Sequence, residues 1–590
     1  MLRGFRWQLL AFVLAVVVFA IVLISRSGDT NQQTLPLTAT SQNVLGEIVT
    51  ETPELIVSPE PILQTQVIET VSIINTIPTY REALIGNVQR LNPVFASLNP
   101  VDADISSLVF EGLMGINEFG EPKLVLAQDW VVSFDGLEYV FTLRNDILWQ
   151  DGEPFTANDV VYTLSLLASP DYQGSMEISR FWRTVEIEQL SDYMIRFRLS
   201  QPFGSFLEAL RVGILPVHAL EGINASQLAN HPFNLSPIGT GPYQLEGFEI
   251  NDGQIEMVNL RLSPNYLQRN GVTAHSIDRF TFHLYPSFDE ALIGLQTGEV
   301  DGFATGDHLI RQNLLTLTQE FDLYTTEEPT VGMVIFNWVN DNTQVFNDLR
   351  FRQALQQGLQ RSSLVDRLFP NSAILANSPL PPNLWAYVSD IEFPAYDIPN
   401  ATELLARVNF PEVELPEGEV ATPTPYLYRF QILTIADPTL VNLAQEIATQ
   451  WSQIGLEVQV DAVDIATYHA RLESGEFDTA LIEFTTGNAD PDIYTFWHQG
   501  QYPDGQNYGG ANDRTISELL ERGRQDINGT NRIVFYQAFQ REFIERAIAI
   551  PIYYPLFTYL VRSNVDGVQL GFVGSPQDRF QTLANWQVNP

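Results

Sequence analysis

With 590 residues, 45% of them hydrophobic and 17% charged, the chain has a globular composition and is long enough for two or three domains, at roughly 100–200 residues each. Its 31 basic against 71 acidic residues give a formal charge of −40, which argues against nucleic acid and anionic membrane surfaces as partners, since both require clustered positive charge. Cysteine is absent and Lys123 is the one lysine, so thiol catalysis, disulfides, Cys–zinc sites and an acylated cysteine anchor are excluded and lysine chemistry has almost nowhere to reside.

At the amino end, Trp7–Ile24 is an apolar run with Gln8 as its strongly polar member, about 27 Å long as a helix and close to a hydrocarbon thickness. Arg3 and Arg6 precede it and favour a cytoplasmic amino terminus. The length of the run, and the lack of a small-x-small site near Ser25-Arg26, favour an uncleaved signal anchor over a cleaved signal peptide. Either reading places the rest of the chain outside the cytoplasm. Residues 27–77 are rich in Thr, Gln, Pro and Ser and read as a tether, too poor in apolar groups to order themselves.

From Tyr80 onward, strand-like and helix-like runs alternate as in an α/β protein. Tyr139–Leu143 and Met194–Leu199 alternate as strands, while Asn158–Leu167, with Asn158 as its N-cap, and Asp289–Gln296 read as helices. Asp348–Leu368 is expected to form one long helix or two abutting ones, with Arg350 and Arg352 near its start partnering acids. Thr439–Ile454 carries Leu440, Leu443, Ile447 and Trp451 on one face, Gly455 ends it, and Leu456–Val460 and Thr479–Phe484 follow as strands. The proline-rich stretches Ser378–Pro382 and Pro411–Pro425 read as surface loops.

Asn488–His498, N-A-D-P-D-I-Y-T-F-W-H, gathers two carboxylates, a proline turn and three aromatics just after a strand. Acceptors and flat apolar faces at a strand's carboxyl end suit a small-molecule cleft. The alternative is an Asp N-cap followed by core aromatics. Asp490 and Asp492 form the one close acid pair that could support glycoside chemistry. No H-E-x-x-H, G-x-S-x-G or phosphate loop is present, and the seven histidines show no metal-ligand spacing, so neither cofactor nor metal is implied. Asp151, in the Asp151-Gly152 turn before Pro154, and the Gly239-Thr240-Gly241 turn read as structural.

Several segments in order resemble one family: Gly86–Pro93, Leu108–Leu113, Leu148–Val161 (L-W-Q-D-G-E-P-F-T-A-N-D-V-V), Ile238–Tyr243, Ala291–Asp301, Phe336-Asn337 with Asn347–Ala354, and Asn488–His498. Together they resemble the family 5 extracellular solute-binding proteins of ABC importers, the dipeptide-, oligopeptide- and nickel-binding group. The resemblance implies a two-lobed, type II periplasmic-binding-protein-like α/β fold with an extra subdomain in the first lobe. Residues 78–100, 236–322 and 552–590 would form lobe I, 101–235 the subdomain, and 323–551 lobe II, with hinge candidates Glu327–Val334 and Ala549–Tyr554.

It further implies a monomer on the outer face of a bacterial cell membrane, capturing a peptide- or oligosaccharide-sized ligand for ABC permease subunits. A tethered sensor and a glycoside-processing enzyme are the alternatives. Ligand-binding candidates are Asn337, Trp385, Asp490, Asp492, Tyr494, Trp497 and His498. Peptide binders of the group hold the ligand's α-amine with an aspartate whose position here falls on Gly487, which points to an uncharged or weakly cationic ligand.

Overall fold

The structure is a computed structural model and describes residues 77–317, 319–410, 426–487 and 489–589, all within one compact unit, Asn75–Pro590. The expected anchor Trp7–Ile24, the tether, the 411–425 loop and Asn488 lie outside the described residues. No helix among the described residues is long and apolar enough to cross a membrane.

One long strand, Ile550–Arg562, joins two sheet halves. From Leu556 onward it pairs antiparallel with Phe321–Glu327 and Gly302–Thr305. Beside these lie Thr79–Ile85 and its parallel neighbour Arg279–Tyr285, then the hairpin Tyr243–Asn251 and Gln254–Leu262. Up to Pro555 it pairs instead with Thr330–Phe336 and Ala373–Leu375. Thr330–Phe336 in turn pairs with Thr479–Thr485, which continues through parallel ladders to Tyr428–Ile435 and Leu456–Val463.

Partners therefore change at Glu328-Pro329, within the hinge candidate Glu327–Val334, and at Pro555, one residue past the candidate Ala549–Tyr554. Proline supplies no N–H, which removes one ladder donor at each of these points. The two crossings are held side by side by the Glu328 N–H, which donates to the Pro555 carbonyl at 3.0 Å.

A separate four-stranded antiparallel sheet, Ala127–Val132, Glu138–Leu143, Met194–Leu199 and Val185–Ser191, falls within 101–235. Its helix spans Ala157–Ala168 and is capped by Thr156, not Asn158. The Asp159 carboxylate accepts from the Thr156 N–H at 2.8 Å, closing a capping box two residues earlier than expected.

In the second half, the 348–368 segment forms two helices, Leu349–Gln357 and Arg361–Leu368, broken at Gly358. Arg350 pairs with Asp348 as expected, but Arg352 makes no ion pair among the described residues: it is buried and donates to the carbonyls of Phe346, Arg546 and Ala547. Helix Pro438–Ser452 starts at the Asp437 cap and buries Leu443, Ile447 and Trp451. Each such side chain contributes about 1.5–3 kcal/mol by leaving water.

Candidate functional site

The central strand of the second half, T-A-L-I-E-F-T, is buried from Thr479 to Ile482 and then alternates, with Glu483 and Thr485 exposed and Phe484 buried. The two-residue period sends Glu483 and Thr485 to one face and Phe484 to the other. In register, Glu483 lies opposite Gly332, and Gly332 opposite Tyr553. A Cβ on Gly332 would collide with the Tyr553 ring. Because that position is glycine, Tyr553 crosses the neighbouring strand and its hydroxyl donates to Glu483 Oε1 at 2.7 Å. The Tyr553 ring also stacks on Phe369, with centroids 4.4 Å apart.

Above this face lies a cavity of about 340 Å³, lined by Glu483, Thr485, Tyr468, Tyr508, Tyr553 and His469 with apolar neighbours including Ile435 and Leu440. Ile435 and Thr485 end two parallel strands, so the cavity sits at their carboxyl ends, where open α/β sheets hold ligands. The Tyr468 hydroxyl is fixed by donating to the Leu481 carbonyl at 2.7 Å. Glu328, at the crossing, is half-buried and pushed up to about 7 by burial and by the neighbouring Glu483 charge.

The 489–498 segment is arranged differently from the sequence expectation. Asp490 is buried and makes two 2.6 Å hydrogen bonds with Arg532, itself buried and also donating to the Gly523 carbonyl. Asp492 caps Tyr494 N–H and pairs with Arg524 at 3.3 Å. These arginines occupy the acid pair on which glycoside chemistry would have rested. Trp497 is 4% exposed, wedged against Phe484 and Phe543. His498 accepts from Gly500 N–H through Nδ1, which leaves Nε2 to donate to Glu521 Oε1, and it stacks on Tyr494. Asn337 is fully buried, its amide donating to the Gly475 and Phe477 carbonyls and its oxygen accepting from the Val339 and Asn340 N–H groups.

Asn337, Asp490 and His498 thus have their partners inside the second half, because buried polar groups acquire them, and Trp497 is packed among rings there. Trp385 and Tyr494 are half-buried, the first flanking Arg532 and Tyr536, the second under Arg524. Asp490, Trp385 and Tyr494 therefore cluster around the two arginines, away from the cavity lining. None of the seven expected residues lines the cavity; Phe496, from the same segment, does. Glu483, Thr485, Tyr468, Tyr508 and Tyr553 were missed. Their one sequence signal was a single acid, Glu483, set between the apolar Ile482 and Phe484 of a strand. Gly487, with φ +68° and open space where a Cβ would point, supplies no carboxylate.

The halves meet on both sides of the strand crossings. Gly204 N–H donates to the Arg524 carbonyl at 2.8 Å and Arg532 reaches Ser205 Oγ at 3.4 Å. Elsewhere His308 Nε2 and Thr439 Oγ1 lie 2.8 Å apart. Near the first contact, Glu208 is pushed up to about 7, chiefly by burial, with the Asp490 and Asp578 charges adding to it against Arg211. Among the described residues, no group of three or more histidine and acidic side chains is placed to hold a metal ion.

Two sheet halves share one strand, and the second half alone lines a cavity at its strand ends. The chain belongs to the bacterial extracellular solute-binding proteins, family 5, whose middle region matches residues 121–506. It is 24% identical over 491 residues to the oligopeptide-binding protein AppA of Bacillus subtilis, covering 82% of this chain and 87% of that one. Among solved structures it is similar to NikZ from Campylobacter jejuni, crystallised with Ni(L-His), at 25% identity and TM-score 0.64, covering 86% of this chain and 99% of that one. HbpA2 from Haemophilus parasuis shares the fold at 19% identity and TM-score 0.74, covering 87% and 100%.

Proposed function

We propose that the protein is the extracytoplasmic solute-binding component of an ABC importer, taking a peptide- or oligosaccharide-sized ligand between its two lobes and handing it to the permease. The observation that carries this reading is the 340 Å³ cavity at the carboxyl ends of the second-half strands, in a fold whose sheet pairing shows two backbone crossings between the halves among the described residues. Lobe I would comprise 78–100, 236–327 and 556–590 with the 101–235 subdomain, and lobe II 330–555. Glu328-Pro329 and Pro555-Leu556 would serve as hinges. Closure would be a population shift limited by the ligand's preference for the closed form. The relatives named for oligopeptide binding support a peptide-like ligand. The apolar Trp7–Ile24 run supports tethering to the outer face of the membrane, and membrane fractionation of the native protein tests it.

Titration calorimetry with di- to pentapeptides and with cello- and xylo-oligomers tests the binding reading. A saturable heat for one class is expected, abolished by Leu472→Trp, which fills the cavity. Binding unaffected by that substitution would place the ligand elsewhere.

A further inference from the structure

The cavity is polarised in a way that neither its position nor the family requires. Glu483 stands opposite Gly332 on one side, beyond the Thr479 and Ala480 pairings that flank its strand on the other. A charge there must be solvated or paired. Among the described residues it has no ion pair, and its one protein hydrogen bond is the Tyr553 hydroxyl on Oε1. An ionised carboxylate offers about four acceptor positions, so most of its capacity faces the cavity. No lysine or arginine is among the residues lining the space.

The walls are aromatic: Tyr468, Tyr508 and Phe496 join Tyr553. Ring faces carry negative quadrupole potential and attract organic cations, more strongly where water is excluded. The surrounding field has the same sign. Glu328 feels the Glu483 charge, and Tyr553 feels Glu483 and Asp437. A neutral sugar could stack on such rings, but would leave the carboxylate without a counter-charge.

We propose that Glu483, with the Tyr468, Tyr508, Tyr553 and Phe496 rings, forms a subsite for a cationic group of the solute, an ammonium or guanidinium. The inference rests on the solute-binding reading above. The cation would donate to the free Glu483 oxygen while Tyr553 holds the other. Gly332, by lacking a side chain, is what lets Tyr553 do so.

The test uses the full-length protein and three probes: trialanine with a free amine, N-acetyl-trialanine, and agmatine. Wild type, Glu483→Gln, Glu483→Asp and the exposed-site control Arg350→Ala are compared by calorimetry, with circular dichroism confirming folding. Trialanine and agmatine are expected to bind wild type, acetylation to weaken binding tenfold or more, and Glu483→Gln to weaken the two cations tenfold or more. Glu483→Asp should recover part of that loss, and Arg350→Ala should match wild type. Equal binding of trialanine and its acetylated form, retention of both cations by Glu483→Gln, or failure of both cations to bind wild type at millimolar concentration would each overturn the subsite. If one of these results comes while N-acetyl-trialanine or the cello- and xylo-oligomers of the preceding titration bind, the solute-binding reading stands and the cationic subsite alone fails. If no peptide or sugar probe binds, both fail.

Discussion

Glu483 and Asp490 lie seven residues apart in one segment of chain, yet meet opposite fates. Asp490 is buried against Arg532 in a two-pronged pair, while Glu483 opens onto a cavity with one tyrosine hydroxyl for company. The more conspicuous acid in the sequence is a structural one, and the inconspicuous acid is the one left available. Chemistry at a site depends on what the fold leaves unpaired, which residue identity does not reveal.

The comparison can be broken most forcefully at Arg532. Arg532→Ala strands the buried Asp490 charge and should lower stability by about 3–5 kcal/mol, read from urea unfolding, whereas Glu483→Gln should change it by under about 1 kcal/mol. Similar losses in both variants would mean that the two acids are equally structural. Next in size is Gly332→Ala, whose added methyl collides with the Tyr553 ring. An overpacking loss of about 1–3 kcal/mol is expected, together with displacement of Tyr553 from Glu483 in a crystal structure.

A smaller effect depends on pH. Glu208 sits against the Arg211–Asp578 pair beside Asp490, and its carboxyl titrates near 7 in the folded state against an ordinary 4.5. Between these values the native state holds a proton that the unfolded state has released, so stability falls as pH rises through that window. Glu208→Gln mimics the protonated form and should be the more stable protein at pH 8 by about 1–2 kcal/mol, with no difference at pH 4. A variant that is less stable at pH 8 would show that the Arg211 contact outweighs burial. Tyr553→Phe should be smallest, about 0.5–1.5 kcal/mol, because Glu483 can turn to water; a larger loss would mark Glu483 as more buried than its exposure indicates.

Much of the fold was legible before any coordinates. Strands 139–143, 194–199 and 479–484 and helix 439–454 all follow from local periodicity and turn residues, whereas the pattern in 348–368 fits one helix or two and the structure breaks it at Gly358. Motif order through Leu148–Val161 and Ile238–Tyr243 was enough to identify the family that the 121–506 match then established. Boundaries were less secure: Thr156 rather than Asn158 caps its helix because Asp159 reaches back, a contact that propensity alone does not rank.

The sequence by itself determined the α/β alternation, the absence of thiol and nearly all lysine chemistry, and the family, because these are local or compositional properties. Tertiary structure decided which polar groups are spent and which are open. Arg532 comes to Asp490 from 42 positions away, and Tyr553 reaches Glu483 from 70 positions away across a glycine. Pairings between distant segments carry no signature in either segment alone, so the site emerges only when the sheet brings Thr330–Phe336, Thr479–Thr485 and Ile550–Arg562 side by side.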